Sequence, residues 1–329
     1  MKNILIIQTA FIGDVVLATP LAEKLHYFYP DADIDFLVRK GNESLFNGHP
    51  FVRKVHTWDK KNRKYRNLRA VIREIKAEKY DHVVNLQRYF SSGVLTLSSR
   101  GKVTCGFSKN PLSFLFTYRV KHEISRVGKG THEVERNLSL ISFLTGDGYF
   151  KPMLYPTIDD FREIRQYTGR QFYTISPASI WFTKQLPVEK WIELIRNIPA
   201  GASVFLLGGQ GDSGFCDLIV QKSGNPKAQN LAGKLSFLQS SALMKEAIMN
   251  YANDSAPLHF ASAVNAPVTA FFLSTTPSYG FTPLSDNSVI AEPEPIPACR
   301  PCGIHGKNTC PKGHFHCAWN VDVGKYITK

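Results

Sequence analysis

Short apolar runs alternate with segments of helical spacing through the first half of the chain. The apolar runs have the length of buried strands, and the segments between them repeat apolar residues at the period of a helix packed on one face. Strands that alternate with helices favour a parallel sheet covered by helices. The pattern predicts strands at Lys2–Gln8, Ile34–Val38, His82–Leu86 and Lys102–Phe107, and helices at Pro20–Tyr29 and Leu68–Glu78.

The same alternation restarts after a looser segment around residues 155–167. It predicts strands at Phe172–Ser176, Ser203–Leu207 and Val268–Phe272, and helices at Val188–Asn197, Phe215–Lys222 and Gln239–Met249. The sequence therefore predicts an α/β protein with two Rossmann-like, doubly wound domains at residues 1–160 and 161–329. The second domain ends in a tail, Glu292–His316, that is rich in Pro, Gly, Cys and His and is predicted to be irregular.

The composition is that of a globular protein. The chain has 329 residues, of which 43% are hydrophobic and 20% charged, too apolar for an extensively disordered chain. The first apolar run stops at Gln8, which is too short for a secretory signal, and no stretch reaches the ~18 apolar residues of a membrane span. We therefore expect a cytoplasmic protein.

Charge adds a possible partner. The formal net charge is +13, and much of the excess lies between Lys60 and Arg69 and continues to Lys79. Such a segment attracts nucleic acid, an anionic membrane surface or a phosphorylated substrate, or is only a solvated helix face. Neither an RNA-binding aromatic signature nor zinc-finger spacing accompanies it, so no nucleic-acid partner is expected.

The first segment with candidate chemistry is Gln8–Pro20, a strand end followed by a turn and a helix start. Ligands of open α/β sheets bind at the carboxyl ends of strands, so substrate is expected near this turn, against Thr9 and Gly13. A carboxylate at Asp14 can accept a proton from a substrate hydroxyl. The alternative is that Asp14 only caps the helix.

Two further segments in the second half fit a phosphorylated ligand. In Ser176–Pro187, the hydroxyl of Ser179 and the ammonium of Lys184 suit a diphosphate, although Lys184 alone is also typical of a surface. In Asn253–Ala261, Asp254 or Ser255 is predicted to cap a helix that begins near Ala256 and whose free N–H groups bind phosphate. Asp254 itself suits sugar hydroxyls, and His259 on this helix is either a site residue or a satisfied helix histidine.

A glycine-rich segment, Gly208–Gly214, offers a different interpretation. Gly209, Gly211 and Gly214 satisfy G-x-G-x-x-G between a strand and a helix, which is the best argument for a nicotinamide-dependent oxidoreductase. The acidic residue expected about 20 positions later is missing, because Gln229–Leu231 stands there. This pattern therefore supports only an alternative function.

The tail holds four cysteines, Cys299, Cys302, Cys310 and Cys317, with histidines between them. Thiolates and imidazoles are the preferred ligands of tetrahedral zinc, and disulfides are disfavoured in the cytoplasm. A structural zinc site is therefore one interpretation of the tail.

The segment Gly13–Pro20 resembles the N-terminal signature of the bacterial heptosyltransferase family, glycosyltransferase family nine. Three other segments are also similar to blocks of that family: Lys79–Gln87, His132–Asn137 and Asn230–Lys234. The resemblance implies a GT-B fold, with two Rossmann-like domains facing across a cleft, and a heptose transferred from ADP-heptose to the lipopolysaccharide inner core. It also implies inversion of configuration without a required metal or other cofactor.

The resemblance assigns roles to individual residues. It implies that Asp14 is the catalytic base, that the N-terminal domain binds an anionic glycolipid or saccharide acceptor at the inner face of the inner membrane, and that the C-terminal domain binds the nucleotide-diphosphate sugar. The donor contacts it implies are Ser179, Lys184, Asp212, Asp254, Ser255, Ala256 and His259. Two positions depart from the pattern of the family: Gln185–Leu186 follows the lysine, and Ala256 stands where the family has a glycine. These departures keep a non-catalytic saccharide-binding relative as a second alternative.

Overall fold

The computed structural model describes residues 2–124 and 130–327, which divide into two compact units. Unit 1 takes the chain up to Ile124 together with Thr131–Tyr155, and unit 2 takes Gly130 and the chain from Pro156 onward. The division thus falls a few residues before the boundary predicted at 160/161. Within the described residues, no helix has both the length and the apolar composition that a membrane crossing requires.

Unit 1 is a six-stranded parallel sheet with the order β3-β2-β1-β4-β5-β6. The central strand is buried along five of its six residues, because helices cover both faces of a parallel sheet. Its strands are β1 Asn3–Gln8, β2 Asp33–Arg39, β3 Val52–Trp58, β4 His82–Asn85, β5 Val103–Phe107 and β6 Tyr118–Val120. Its helices are α1 Ile12–Val16, α2 Thr19–Phe28, α3 Lys64–Ala77, α4 Phe90–Ser98, α5 Glu133–Ser139 and α6 Ser142–Thr145.

One core of unit 1 lies between β1, β2, β4 and the helix α3. Leu5, Leu37 and Val83 project from the sheet onto Val71 and Ile75 of α3. The basic segment of the sequence thus forms an amphipathic helix, whose two fully buried positions lie one turn apart while most of its cations face solvent.

Unit 2 is a second six-stranded parallel sheet, with the order β12-β11-β10-β7-β8-β9. Its strands are β7 Phe172–Ser176, β8 Ser203–Leu206, β9 Ala228–Asn230, β10 Met249–Asn253, β11 Val268–Phe271 and β12 Ser288–Ala291. Its helices are α7 Ile158–Ile164, α8 Val188–Asn197, α9 Ser213–Ser223, α10 Phe237–Glu246, α11 Ala256–Ala263 and α12 His316–Trp319. The predicted pair of Rossmann-like domains is confirmed.

The structure corrects one predicted element. The helix predicted at Gln239–Met249 ends at Glu246, and Met249 begins the buried strand β10. The boundary was missed because only Ala247 and Ile248, both apolar, separate the helix from the strand, with no Gly or Pro to mark the change.

Candidate functional site

Each sheet has one topological switch point, where the chain leaves its first strand in one direction and later returns on the other side. In unit 1 the switch lies between β1 and β4, and in unit 2 between β7 and β10. Open α/β sheets bind ligands in the crevice outside the carboxyl ends of the strands at such points. The predicted segments Gln8–Pro20, Ser176–Pro187 and Asn253–Ala261 all follow strands that border a switch point.

Asp14 lies in the first turn of α1, directly after β1. Its side chain is half-buried, and Gly13 beside it is buried. The cap position of α1 is occupied by Phe11, so the alternative that Asp14 caps this helix is wrong. An acidic residue in a first turn is favoured by the helix dipole. The position therefore provides a carboxylate at the switch point of unit 1.

Thr9, directly after β1, accepts hydrogen bonds from Lys60 of the basic segment. Lys60 Nζ lies 2.6 Å from the carbonyl oxygen of Thr9 and 3.0 Å from its hydroxyl oxygen. Burial, together with repulsion from Arg39 and Lys64, lowers the pKa of Lys60 to about 8. Sequence reasoning treated Lys60 as one of many surface cations, whereas the structure places its ammonium beside the turn that carries Asp14.

A buried glutamine pair bridges the switch point of unit 1. Gln87, two residues after β4, donates a hydrogen bond from Nε2 to Oε1 of Gln8 at the end of β1. The amide of Asn137, in the family-like segment His132–Asn137, donates to the carbonyl of Leu17 just after α1 at 3.0 Å. Two of the segments that resemble the family thus hold the Asp14 turn in place.

In unit 2 the two phosphate-type segments meet in an ion pair. Lys184 Nζ lies 2.7 Å from Oδ2 of Asp254, and the side chains are only 14% and 8% exposed. The hydroxyl of Thr275 donates to the same carboxylate oxygen at 2.6 Å. The structure therefore brings together two residues that the sequence proposed separately as donor contacts.

Asn253 joins the same two loops through their backbones. Its side-chain amide donates to the carbonyl of Pro177 at 2.8 Å, and its Oδ1 accepts from the N–H of Leu186 at 3.1 Å. Asn253 is fully buried at the end of β10. The loop that carries Lys184 is therefore fixed to the strand that leads to Asp254.

The helix α11 begins at Ala256, as predicted, with Ser255 at the cap position. The predicted side-chain cap does not form. The Ser255 hydroxyl instead approaches the carbonyl of Asn253 at 3.4 Å, while the Asp254 carboxylate pairs with Lys184. Ala256 is half-buried at the first helical position, and His259 is buried one turn further along. The helix start thus lies beside the Lys184–Asp254 pair.

The glycine-rich segment does not have the geometry of a dinucleotide fingerprint. It follows β8, the second strand of unit 2, and not β7 at the switch point. Gly209, Gly211 and Gly214 have no positive φ, and a Cβ at Gly211 or Gly214 would contact nothing within 4 Å. None of the three glycines is required by a left-handed backbone conformation, and the segment lies away from the switch point, which disfavours the oxidoreductase interpretation.

The remaining predicted donor residues make local contacts. Asp212 accepts a hydrogen bond from the N–H of Gly209 at 2.8 Å and so closes its own loop. Ser179 accepts from the N–H of Trp181 at 3.4 Å. Their contacts with a donor stay predictions.

The C-terminal tail, largely irregular as predicted, packs against the Lys184 loop, a role that sequence reasoning missed. Lys307 and Thr183 exchange backbone and side-chain hydrogen bonds of 3.0 and 2.8 Å. Arg300 donates to the carbonyl of Thr275 at 2.7 Å and to that of Phe272 at 3.0 Å. The tail therefore supports both the loop of Lys184 and the residue that bonds Asp254.

The four tail cysteines are free thiols in the structure. Across the two described ranges, no three Cys, His, Asp or Glu side chains converge in a way that would hold a metal ion. Cys299 Sγ approaches His314 Nε2 at 3.8 Å. A structural zinc site at Cys299, Cys302, Cys310 and Cys317 stays a prediction.

Comparison with known proteins gives consistent matches. Residues 68–303 match the family described as glycosyltransferase family 9 (heptosyltransferase). The chain is 29% identical to lipopolysaccharide heptosyltransferase 3 of Escherichia coli over 85% of each chain. The structure superimposes on that of the ADP-heptose lipopolysaccharide heptosyltransferase II of E. coli with a TM-score of 0.76 and 22% identity, covering 89% of this chain and 90% of the other. For E. coli heptosyltransferase WaaC with ADP, the values are 0.71 and 19%, with 88% and 92% covered.

Proposed function

Because the chain belongs to glycosyltransferase family 9, we propose that it transfers heptose from ADP-heptose to a saccharide of the lipopolysaccharide inner core. Membership confirms the family and the enzyme class predicted from the sequence, and the matched structures confirm the GT-B fold. The donor, the acceptor, inversion of configuration and independence of metal ions are parts of our proposal.

The Lys184–Asp254 pair at the switch point of unit 2 is the observation that carries this proposal. An ammonium has three N–H donors, so Lys184 can keep its contact with Asp254 and still donate to phosphate oxygens. The amides at the start of α11 add further donors beside it. In our proposal these groups bind the ADP diphosphate, and Oδ1 of Asp254 accepts a hydrogen bond from a sugar hydroxyl.

The reaction we propose is a single displacement. An acceptor hydroxyl attacks the anomeric carbon of the heptose, and the bond from that carbon to the diphosphate oxygen breaks. Asp14 accepts the proton of the attacking hydroxyl, and the departing ADP carries the electron pair. Lys184 and the α11 amides stabilise the negative charge on the leaving diphosphate, the task that a metal ion performs in other enzymes. Attack opposite to the leaving group inverts the anomeric carbon.

Acceptor binding in our proposal uses the turn after β1. Gly13 allows close approach to the backbone, Thr9 lines the end of the strand, and Lys60 supplies a cation beside them. An inner-core acceptor carries phosphates or carboxylates, which suits this cation. The cations of α3, which follows Lys60 in the chain, raise the local concentration of such an acceptor by electrostatic attraction.

Product analysis tests the proposal. The purified protein is incubated with a deacylated inner-core acceptor and with ADP-heptose, ADP-glucose or UDP-glucose, and the products are identified by mass spectrometry. We expect a heptose adduct only with ADP-heptose. A thermal-shift screen with ADP and NADPH separates the alternatives, because an oxidoreductase would be stabilised by NADPH. Binding of ADP-heptose without any product would instead favour a non-catalytic saccharide-binding protein and contradict the proposal.

A further inference from the structure

A long segment of unit 1 contains no acidic residue. From His82 to His122 the sequence has neither Asp nor Glu, although it has six lysines and arginines. Two of these cations are paired outside the segment, Lys102 with Asp81 and Lys121 with Glu123. All Lys, Arg, Asp and Glu charges within the segment are therefore positive, and the acidic partners of two of its cations, Asp81 and Glu123, lie directly outside it.

The same segment exposes five large apolar side chains, of which the four most exposed are Tyr89 at 66%, Phe90 at 60%, Phe114 at 66% and Leu115 at 55%. We call these four residues the apolar surface. Isolated exposed apolar residues are ordinary, whereas several together mark an interaction site.

The two halves of the apolar surface are held together by Asn110. Its side-chain amide donates to the carbonyl of Tyr89 at 3.0 Å and to the hydroxyl of Ser92 at 3.2 Å. A Cβ added to Gly93 of α4 would lie 2.9 Å from Cβ of Leu112, so the helix and the loop before Phe114 are in close contact. The apolar side chains are thus exposed on a fixed scaffold.

The apolar surface also has a fixed relation to the Asp14 turn. Tyr89 and Phe90 follow β4, the neighbour of β1, and Gln87 just before them bonds Gln8 across the switch point. The start of α4 therefore lies at the same end of the sheet as Asp14, where β1 and β4 have their carboxyl ends. Cations lie on both sides, with Arg88 before Tyr89 and Lys109 in the loop before Phe114.

From these observations we infer that the apolar surface binds an anionic lipid bilayer at the level of the headgroups. Aromatic side chains prefer this interface, and nearby lysines and arginines are attracted to anionic lipids. Because the segment carries cations and no acidic residue, its charge is complementary to an anionic membrane. This complementarity favours a membrane over a second protein as the partner. The inference rests on the proposed function, because membrane binding serves to reach the acceptor: a glycolipid embedded in a bilayer presents its saccharide at the level of the headgroups.

Vesicle co-sedimentation tests the inference without any transfer reaction. The full chain is mixed with vesicles of phosphatidylglycerol and phosphatidylcholine, or of phosphatidylcholine alone. We expect binding to the anionic vesicles and a loss of about tenfold or more in the partition coefficient for the double variant Phe114→Ser/Leu115→Ser. Tyr89→Ser is a second variant, and Ile158→Ser is the control because Ile158 is 78% exposed in unit 2.

Two results would overturn the inference. One is a partition coefficient that is unchanged in both variants of the apolar surface, or that falls equally in Ile158→Ser. The other is a wild-type dimer that Phe114→Ser/Leu115→Ser converts to a monomer, because the surface would then serve a second copy of the chain.

A second assay separates this inference from the proposed function. Phe114→Ser/Leu115→Ser is expected to transfer heptose to a deacylated acceptor at the wild-type rate, but several-fold more slowly to an acceptor embedded in vesicles. A protein that binds vesicles and transfers no heptose would contradict the proposed function alone. Equal rates on both acceptors would contradict the inference alone.

Discussion

Lys184 Nζ lies 2.7 Å from Oδ2 of Asp254, and the two side chains reach each other from loops that follow different strands. The contact forms because β7 and β10 are neighbours in the sheet, so their carboxyl ends lead into one crevice. Asn253 then fixes the Lys184 loop by two further hydrogen bonds. The pair holds the ammonium in position before any ligand arrives.

Replacing Lys184 by glutamine is expected to weaken ADP binding. The variant loses a charge-assisted hydrogen bond to phosphate, which contributes about 1.5–3 kcal/mol. The dissociation constant for ADP should therefore rise about 10- to 100-fold, as measured by isothermal titration calorimetry. The matched control is Lys190→Gln, since Lys190 also forms an ion pair, with Glu193 on α8, but lies outside the site. Equal affinities for ADP in wild type and Lys184→Gln would remove Lys184 from the donor site.

Arg300→Ala is expected to destabilise unit 2 and to weaken ADP binding. The buried guanidinium bonds the carbonyls of Thr275 and Phe272 and pairs with Glu292, so its removal leaves these groups without a partner at a cost of about 2–4 kcal/mol.

Denaturant unfolding measures this loss for Arg300→Ala, and calorimetry measures the accompanying change in ADP affinity. Arg162→Ala serves as the control, because Arg162 forms only an exposed pair with Asp159 and should cost less than about 0.5 kcal/mol. If Arg300→Ala unfolds like the control, the tail does not support the donor loops.

Lys60 predicts a pH dependence for acceptor binding. Its pKa is lowered to about 8, so the folded protein loses this charge as the pH rises through 8, whereas an unperturbed lysine keeps most of its charge up to about pH 10. The KM for an anionic acceptor should therefore increase between pH 7 and 9.5, while the KM for ADP-heptose changes less.

The variant Lys60→Arg provides the comparison, because a guanidinium stays charged throughout this range. Its acceptor KM is expected to stay flat up to pH 9.5. A wild-type profile as flat as that of Lys60→Arg would show that the Lys60 charge does not bind the acceptor.

The fold was largely predictable, because apolar runs and helical spacing mark most of its elements. The predicted strand Phe172–Ser176 and helix Val188–Asn197 have the bounds of β7 and α8. The strand β3 (Val52–Trp58) was missed, since it is an edge strand whose first half is largely exposed and polar. A strand that buries only part of its length has no clear apolar period.

The site was predictable only in part. Motifs identified Asp14, Lys184 and Asp254, but the contact between the last two depends on strand order, which no local pattern reports. Thr275 and Arg300 belong to segments without a recognised motif, and their roles follow from tertiary packing. Lys60 looked like its neighbours in the basic segment because sequence does not show which cation folds inward.

Asp14 is the residue on which the proposed chemistry depends. Asp14→Asn keeps the size and shape of the side chain but removes its capacity to accept a proton from the acceptor hydroxyl. General-base catalysis of this kind contributes about 10²- to 10⁴-fold to a rate. Asp31→Asn is the control, since Asp31 is exposed and lies before β2, away from the switch point.

The most direct measurement is the turnover number for heptose transfer in Asp14→Asn, with the ADP affinity of the same preparation measured by calorimetry. We predict that kcat falls by at least about 100-fold while the dissociation constant for ADP stays within about threefold of wild type. Turnover close to that of the wild type and of Asp31→Asn would contradict the assignment of Asp14 as the catalytic base.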